Sequence, residues 1–233
     1  IFIFQQKNNF KMKTIKQITD DIEKFSPHPK LVKLLAVSKK QPIDKIETLL
    51  SQNHFKFGEN YVQEALDKMQ KLPKTIEWHL IGHLQSKKVN SIIGKFAFIH
   101  SIDSLKIAEL VAEKSKEKTL VQNIFIEVNI GDEVSKTGFT IPVLQEQWSK
   151  ITSLNSLRIC GLMTLPPPSD DIEVTRSYFK KLKSLQNQLK TSLDTDRHPF
   201  ADLSMGTSQD YIAALQEGST IIRIGTTLFG ERV

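Results

Sequence analysis

Short apolar runs rich in β-branched residues alternate with amphipathic stretches along nearly the whole chain. The runs at 32–38, 55–57, 76–81, 96–100, 123–129, 157–163, 201–203 and 221–224 have the length of strands. Between them, apolar positions recur at helical spacing over 44–52, 60–71, 104–116, 141–152, 171–193 and 208–216. Strands that are apolar without alternation are buried on both faces, which predicts a parallel sheet with helical crossovers. Eight βα units in a chain of 233 residues predict an α/β fold, a single (β/α)8 TIM-type barrel. An open doubly wound sheet is the competing architecture. No internal repeat, low-complexity tract or linker marks a second domain, so residues 12–233 read as one barrel domain with no second β domain. Residues 1–11 read as an upstream or disordered extension, with Met12 opening the regular pattern.

Composition adds bounds. The chain is 39% hydrophobic and 25% charged, ordinary for a globular domain with a real core. No apolar run approaches the roughly 18–20 residues that cross a bilayer, so no membrane role is expected. The one cysteine, Cys160, lies in an apolar stretch and reads as a buried structural thiol. A lone cysteine forms no internal disulfide, which fits a reducing, cytoplasmic location. The net charge of +6 raises the question of nucleic acid. Lysines such as Lys106, Lys114, Lys116 and Lys118 spread over predicted helix faces, however, and no interleaved aromatics accompany them, so no nucleic-acid partner is expected.

A barrel of this kind places its site at the C-terminal ends of the strands. The first strand ends in Ser38-Lys39, where a lysine emerging from an apolar run is a candidate to condense with an aldehyde. A surface lysine in a βα loop is the alternative there. Strand seven leads into Ser204-Met205-Gly206-Thr207-Ser208, and strand eight into Gly225-Thr226-Thr227. Glycines, hydroxyls and a following helix suit a phosphate, and phosphate sites of these barrels are often built from these two loops. Two ordinary turns with a serine cap are the alternative. Arg223, flanked by isoleucines inside the last strand, needs an acceptor at the barrel mouth, a ring nitrogen or a carboxylate. Asn60 follows strand two as a cap or a polar group at the rim. His79 and His83 hint at zinc, but no matching cysteine or carboxylate set follows, and no metal is expected.

These residues fall in segments that resemble the YggS/PROSC family of pyridoxal 5′-phosphate (PLP) homeostasis proteins. The segments are LLAVSK at 34–39, FGENYVQE at 57–64, WHLIGHLQ at 78–85, VNIGDEVSKTG at 128–138, GLMT at 161–164, LSMG at 203–206 and GSTIIRIGTTLFG at 218–230. They span the chain in the family's order. The resemblance implies a barrel like the N-terminal domain of alanine racemase, PLP fold type III, with PLP as cofactor. By the same resemblance Lys39 is the Schiff-base lysine. Ser204, Gly206, Ser208, Gly225 and Thr226 fall on the phosphate loops, Arg223 faces the pyridine nitrogen, and Asn60 lies near the cofactor. Thr207 stands where the family has methionine, a change expected to keep the backbone donors. Lys87 stands where asparagine is common, and the ends around strand one and Arg232-Val233 are short.

The function implied is intracellular PLP (vitamin B6) homeostasis, as a carrier or buffer without substantial turnover. A weak fold-type III enzyme, such as an amino-acid racemase, is the alternative. Against turnover, the predicted barrel fills the chain, and Tyr61, Tyr178 and Tyr211 all fall on predicted helices, leaving no placed second base. An arginine near the pyridine nitrogen also disfavours its protonation and weakens an electron sink. The expected protein is a monomer. Transient contact with PLP-dependent apoenzymes is the partner reading left open.

Overall fold

A computed structural model describes residues 11–133 and 136–230. Eight parallel strands close in chain order into a barrel. They are β1 (Lys33–Val37), β2 (Lys56–Glu59), β3 (Glu77–Leu80), β4 (Phe98–Ile102), β5 (Gln122–Glu127), β6 (Leu157–Met163), β7 (Asp202–Thr207) and β8 (Ile221–Ile224). β8 pairs with β1 through Leu35↔Arg223, which seals the barrel and excludes the open sheet. The expected 1–11 extension lies, Lys11 apart, outside the described residues.

Helices cover the outside: α1 (Ile15–Phe25), α2 (Ile43–Leu50), α3 (Val62–Lys71), α4 (Val89–Ile92), α5 (Leu105–Glu117), α6 (Ile141–Thr152), α7 (Ile172–Lys190), α8 (Tyr211–Gln216) and α9 (Thr226–Phe229). Helix α1 is not among the predicted elements. It starts at a capping box in which Thr14 and Gln17 satisfy each other's backbone, and it buries Ile18 and Ile22 one turn apart. Lys13 then ties it to the barrel, bonding Asp21 at 2.6 Å and the Tyr211 hydroxyl at 2.9 Å. None of the helices of the described residues is long and apolar enough to cross a membrane.

Strands β2 and β7 run further than the apolar pattern predicts, to Glu59 and Thr207. Both extensions contain buried polar residues, Glu59 and Ser204, which take hydrogen bonds from residues distant in sequence: Ser38 and Lys68 on Glu59 Oε1, and Arg223 on Ser204. Hydropathy ends a strand at such residues; tertiary partners let it continue.

Side chains alternate along every strand between the helical layer and the lumen. Leu35, Phe125, Cys160, Met163 and Ile221 form a separate apolar cluster, joined by Ile81 and Phe98. It fills part of the lumen. Cys160 is buried there, and burial pushes its thiol up to about 12, as befits an inert structural residue. The rest of the lumen is polar: His79, His100, Ser204 and Arg223 are all buried.

Candidate functional site

The turn after β1 carries Lys39, and its shape comes from α3. Gln41 N–H donates to Ser38 O at 3.0 Å, closing a tight turn. Lys40 within it sits at φ +56°, a left-handed conformation that costs a non-glycine residue energy and needs outside support. Glu64 supplies it by accepting from Lys40 N–H at 2.6 Å. Lys68, one turn along α3, donates to Ser38 O at 2.7 Å, to Glu59 Oε1 at 2.8 Å and to Glu64 Oε1 at 2.6 Å. Ser38 Oγ also donates to Glu59 Oε1 at 2.7 Å. Burial raises the Glu59 carboxyl above its ordinary value, and Lys68 opposes that shift. Both neighbours of Lys39 in the chain are therefore pinned, while Lys39 itself, half-buried, reaches a cavity.

That cavity, of about 250 Å³, opens at the C-terminal end of the barrel and suits one small ligand. Lys39, Asn60, Ser208, Arg223, Gly225 and Thr226 line it together, although they come from four different strand ends. Ser208 joins the last two loops: its Oγ accepts from Gly225 N–H and from Thr227 N–H, each at 3.2 Å. The Ser208 and Thr226 hydroxyls donate to no acceptor among the described residues, so both protons remain for an anion.

Two other expected residues are placed differently. Ser204 and Gly206 lie within β7 rather than on the loop after it, and neither lines the cavity. Ser204 turns into the lumen, where its Oγ accepts from Arg223 Nη1 at 2.8 Å and meets His100 Nδ1 at 2.9 Å. Gly206, at φ +96°, lets β7 pack on α8; a Cβ there would lie 2.6 Å from that of Ala214. The Thr207 N–H, expected to stay available, is taken by Asp210 Oδ1 at 2.6 Å. Of the three residues expected from this segment, Ser208 alone lines the cavity.

Arg223 is buried, and its guanidinium is pinned by Ser204 O at 2.6 Å and Thr164 O at 2.8 Å as well as by Ser204 Oγ. Burial holds its pKa down to about 10, with Asp210 and Glu127 opposing, so it stays a cation at neutral pH. Asn60 is locked by Gly82, where any side chain would collide with its backbone carbonyl. His79 and His83 are not brought together: His79 bonds inside the lumen, and His83 pairs with Asp103 at 3.0 Å. The described residues hold no cluster of three metal-ligating side chains.

Glu127 is among the cavity residues that escaped the sequence reading. It closes β5 and is buried: its Oε1 accepts from Thr137 Oγ1 at 2.7 Å, and its Oε2 has no hydrogen-bond partner among the described residues. Burial raises its carboxyl above the ordinary value. Asn60 Oδ1 is the second buried atom of the cavity wall without a partner. A polar residue ending an apolar strand at the barrel's functional face was the signal available for Glu127.

Fold and rim together define a single β/α barrel with a cavity of small-ligand size among its βα loops. The chain belongs to the family described as alanine racemase, N-terminal domain, whose model matches residues 11–233. It is 37% identical over 221 residues to the pyridoxal phosphate homeostasis protein of Aquifex aeolicus, covering 94% of this chain and 96% of that protein. It is 38% identical to the protein of the same name from Escherichia coli K12, covering 88% and 87% of the two chains. The solved structure of PipY from Synechococcus elongatus with PLP bound superposes with a TM-score of 0.80 at 31% identity, over 92% of this chain and all of that one. Alanine racemase of Clostridium difficile shares the fold alone, with a TM-score of 0.70 at 15% identity over 92% of this chain and 56% of its own.

Proposed function

We propose that this protein binds PLP at the C-terminal rim of its barrel, covalently through Lys39, and serves intracellular PLP homeostasis without substantial turnover. The observation that carries this reading is that one cavity brings a lysine, a fixed arginine and two hydroxyl-bearing loops to a single small ligand. The residues fit the group on their own chemistry. Its phosphate would rest on Ser208, Gly225 and Thr226, where two hydroxyl protons have no internal acceptor. Arg223, a donor only, suits an unprotonated ring nitrogen. The unpartnered Asn60 Oδ1 and Glu127 Oε2 await a donor.

When bound, PLP supplies an aldehyde that a primary amine attacks. Lys39, which lines the cavity, carries such an amine on a turn whose flanking residues are fixed by Glu64 and Lys68. Arg223 keeps its proton and discourages protonation of a nitrogen facing it, which weakens the ring as an electron sink without excluding turnover. The relatives bear the name of homeostasis proteins, which supports a holding role. In this reading the chain acts as a monomer in the cytoplasm and meets PLP-dependent apoenzymes transiently.

The test is an absorbance titration with PLP, followed by borohydride reduction and peptide mapping, on wild type and Lys39→Ala. A reduced adduct on the Lys39 peptide, absent from that position in the variant, is the expected result. No specific adduct in wild type would overturn the reading. Stereospecific α-proton exchange of an amino acid in deuterium oxide at enzyme-like rates, lost in Lys39→Ala, would instead establish the racemase-like alternative.

A further inference from the structure

A continuous row of hydrogen bonds crosses the lumen beneath the cavity. Arg223 Nη1 donates to Ser204 Oγ at 2.8 Å, and Ser204 Oγ meets His100 Nδ1 at 2.9 Å. His100 Nε2 meets His79 Nδ1 at 2.9 Å, and His79 Nε2 meets Glu77 Oε1 at 3.0 Å. The row begins at the cavity wall on β8 and ends at the first residue of β3, on the opposite rim of the barrel. Lys56 braces that end, 3.4 Å from Glu77.

The two ends fix the direction of every proton between them. A guanidinium only donates. The hydrogen bond from His79 holds Glu77 down to about 2, so at neutral pH it is a carboxylate and only accepts. Burial lowers both imidazoles, most strongly His100, so each ring is neutral and carries one proton. If His100 carried its proton on Nδ1, His79 would have to donate from Nδ1 and turn a bare Nε2 against the Glu77 carboxylate. The remaining arrangement is Ser204 Oγ–H to His100 Nδ1, His100 Nε2–H to His79 Nδ1, and His79 Nε2–H to Glu77. Neither ring is free to swing, because His79 stacks on Phe98 at 4.7 Å and His100 on Phe125 at 4.2 Å.

We propose that His100, His79 and Glu77 are positioning residues for Arg223, so that ligand affinity at the C-terminal rim depends on a carboxylate at the N-terminal rim. Ser204 accepts from Arg223 while its own proton is drawn to His100, which makes its oxygen the stronger acceptor, and that pull ends on Glu77. Chains of hydrogen bonds in a low dielectric strengthen one another, which makes the far carboxylate felt at the guanidinium. The ligand is taken from the PLP reading above; the proton positions belong to the protein alone.

The experiment has two arms. Nitrogen-15 NMR of the histidine-labelled protein without PLP should show Nε2–H tautomers at both His79 and His100, and an Nδ1–H tautomer at His100 would overturn the proposal. PLP titrations should then show Glu77→Ala, at a partly exposed rim position, weakening affinity about three- to tenfold, the worth of one internal hydrogen bond. Glu77→Gln, which keeps an acceptor oxygen, should restore most of it. His100→Leu should lose as much as Glu77→Ala, and wild-type affinity in both of these variants would overturn the proposal. A wild-type protein that binds no PLP would overturn the functional reading instead, leaving the tautomers to decide the row.

Discussion

Lys68 Nζ lies 2.7 Å from the carbonyl oxygen of Ser38, so a lysine on α3 holds the residue immediately before Lys39. The same ammonium neutralises Glu59, which is wholly enclosed. Removing one partner of a buried pair leaves an uncompensated charge, at a cost of about 3–5 kcal/mol. Lys68→Ala is therefore expected to lower the urea midpoint sharply. Lys68→Ala/Glu59→Gln should recover much of that stability, yet still form the borohydride-fixed PLP adduct more slowly than wild type, because the turn stays loose.

Lys39→Ala should leave the fold intact, since Gln41 N–H on Ser38 O and Lys40 N–H on Glu64 Oε1 close the turn through its backbone. Far-ultraviolet circular dichroism and the melting temperature without PLP should match wild type, while the reducible adduct at that peptide disappears. A melting temperature well below wild type would mean that Lys39 is structural.

Ser208→Ala removes the oxygen that accepts from Gly225 and Thr227 and the proton offered to an anion. Two backbone donors then lack their partner, and PLP affinity should fall about tenfold or more by the usual worth of such bonds. Competition by inorganic phosphate should weaken in parallel. Ser204→Ala should behave differently, disturbing Arg223 while leaving phosphate competition unchanged.

Acid should destabilise the protein in two stages. His54, His79, His100 and His198 are all lowered from the ordinary 6.5 by burial. Below 6.5 the unfolded chain takes up protons that the folded chain refuses, so stability falls as pH drops. Glu77 is depressed to about 2, so its contribution is present above 4.5 and is lost as pH falls from 4.5 towards 2. Glu59 and Glu127, raised by burial, act in the opposite sense and gain as pH falls towards 4.5. Urea midpoints from neutral pH down to about pH 5 should decline in wild type and less steeply in His100→Asn, which removes the most strongly lowered imidazole.

Cys160, raised to about 12 in the lumen, should not react with a thiol reagent at neutral pH until the chain unfolds. Rapid labelling of the folded protein would show that the barrel interior opens.

Much of the architecture was legible in the order of residues. Continuous β-rich runs such as Leu35–Ala36–Val37 mark strands buried on both faces, and their alternation with amphipathic stretches leaves little besides a parallel α/β fold. That Lys39, Arg223, Ser208, Gly225 and Thr226 come to one cavity was legible for a second reason: the C-terminal ends of a barrel's strands meet at one rim, so sequence position there is spatial position. Glu127 obeyed the same rule and was overlooked because one carboxylate at a strand end has no distinguishing neighbour in sequence.

Other features could come only from the tertiary structure. Ser204 reads as part of a loop until Arg223 and His100, 19 and 104 residues away, give its hydroxyl a reason to be buried. Lys68 reads as one more lysine on a polar helix until α3 brings it over Ser38 and Glu59. His79 invites a metal until His100 and Glu77 occupy both of its nitrogens. The physical reason is common to all three. Apolar burial has no direction and shows itself as a local periodicity, whereas the cost of burying a polar atom is met only by a partner at about 3 Å, and closure of the barrel chooses that partner.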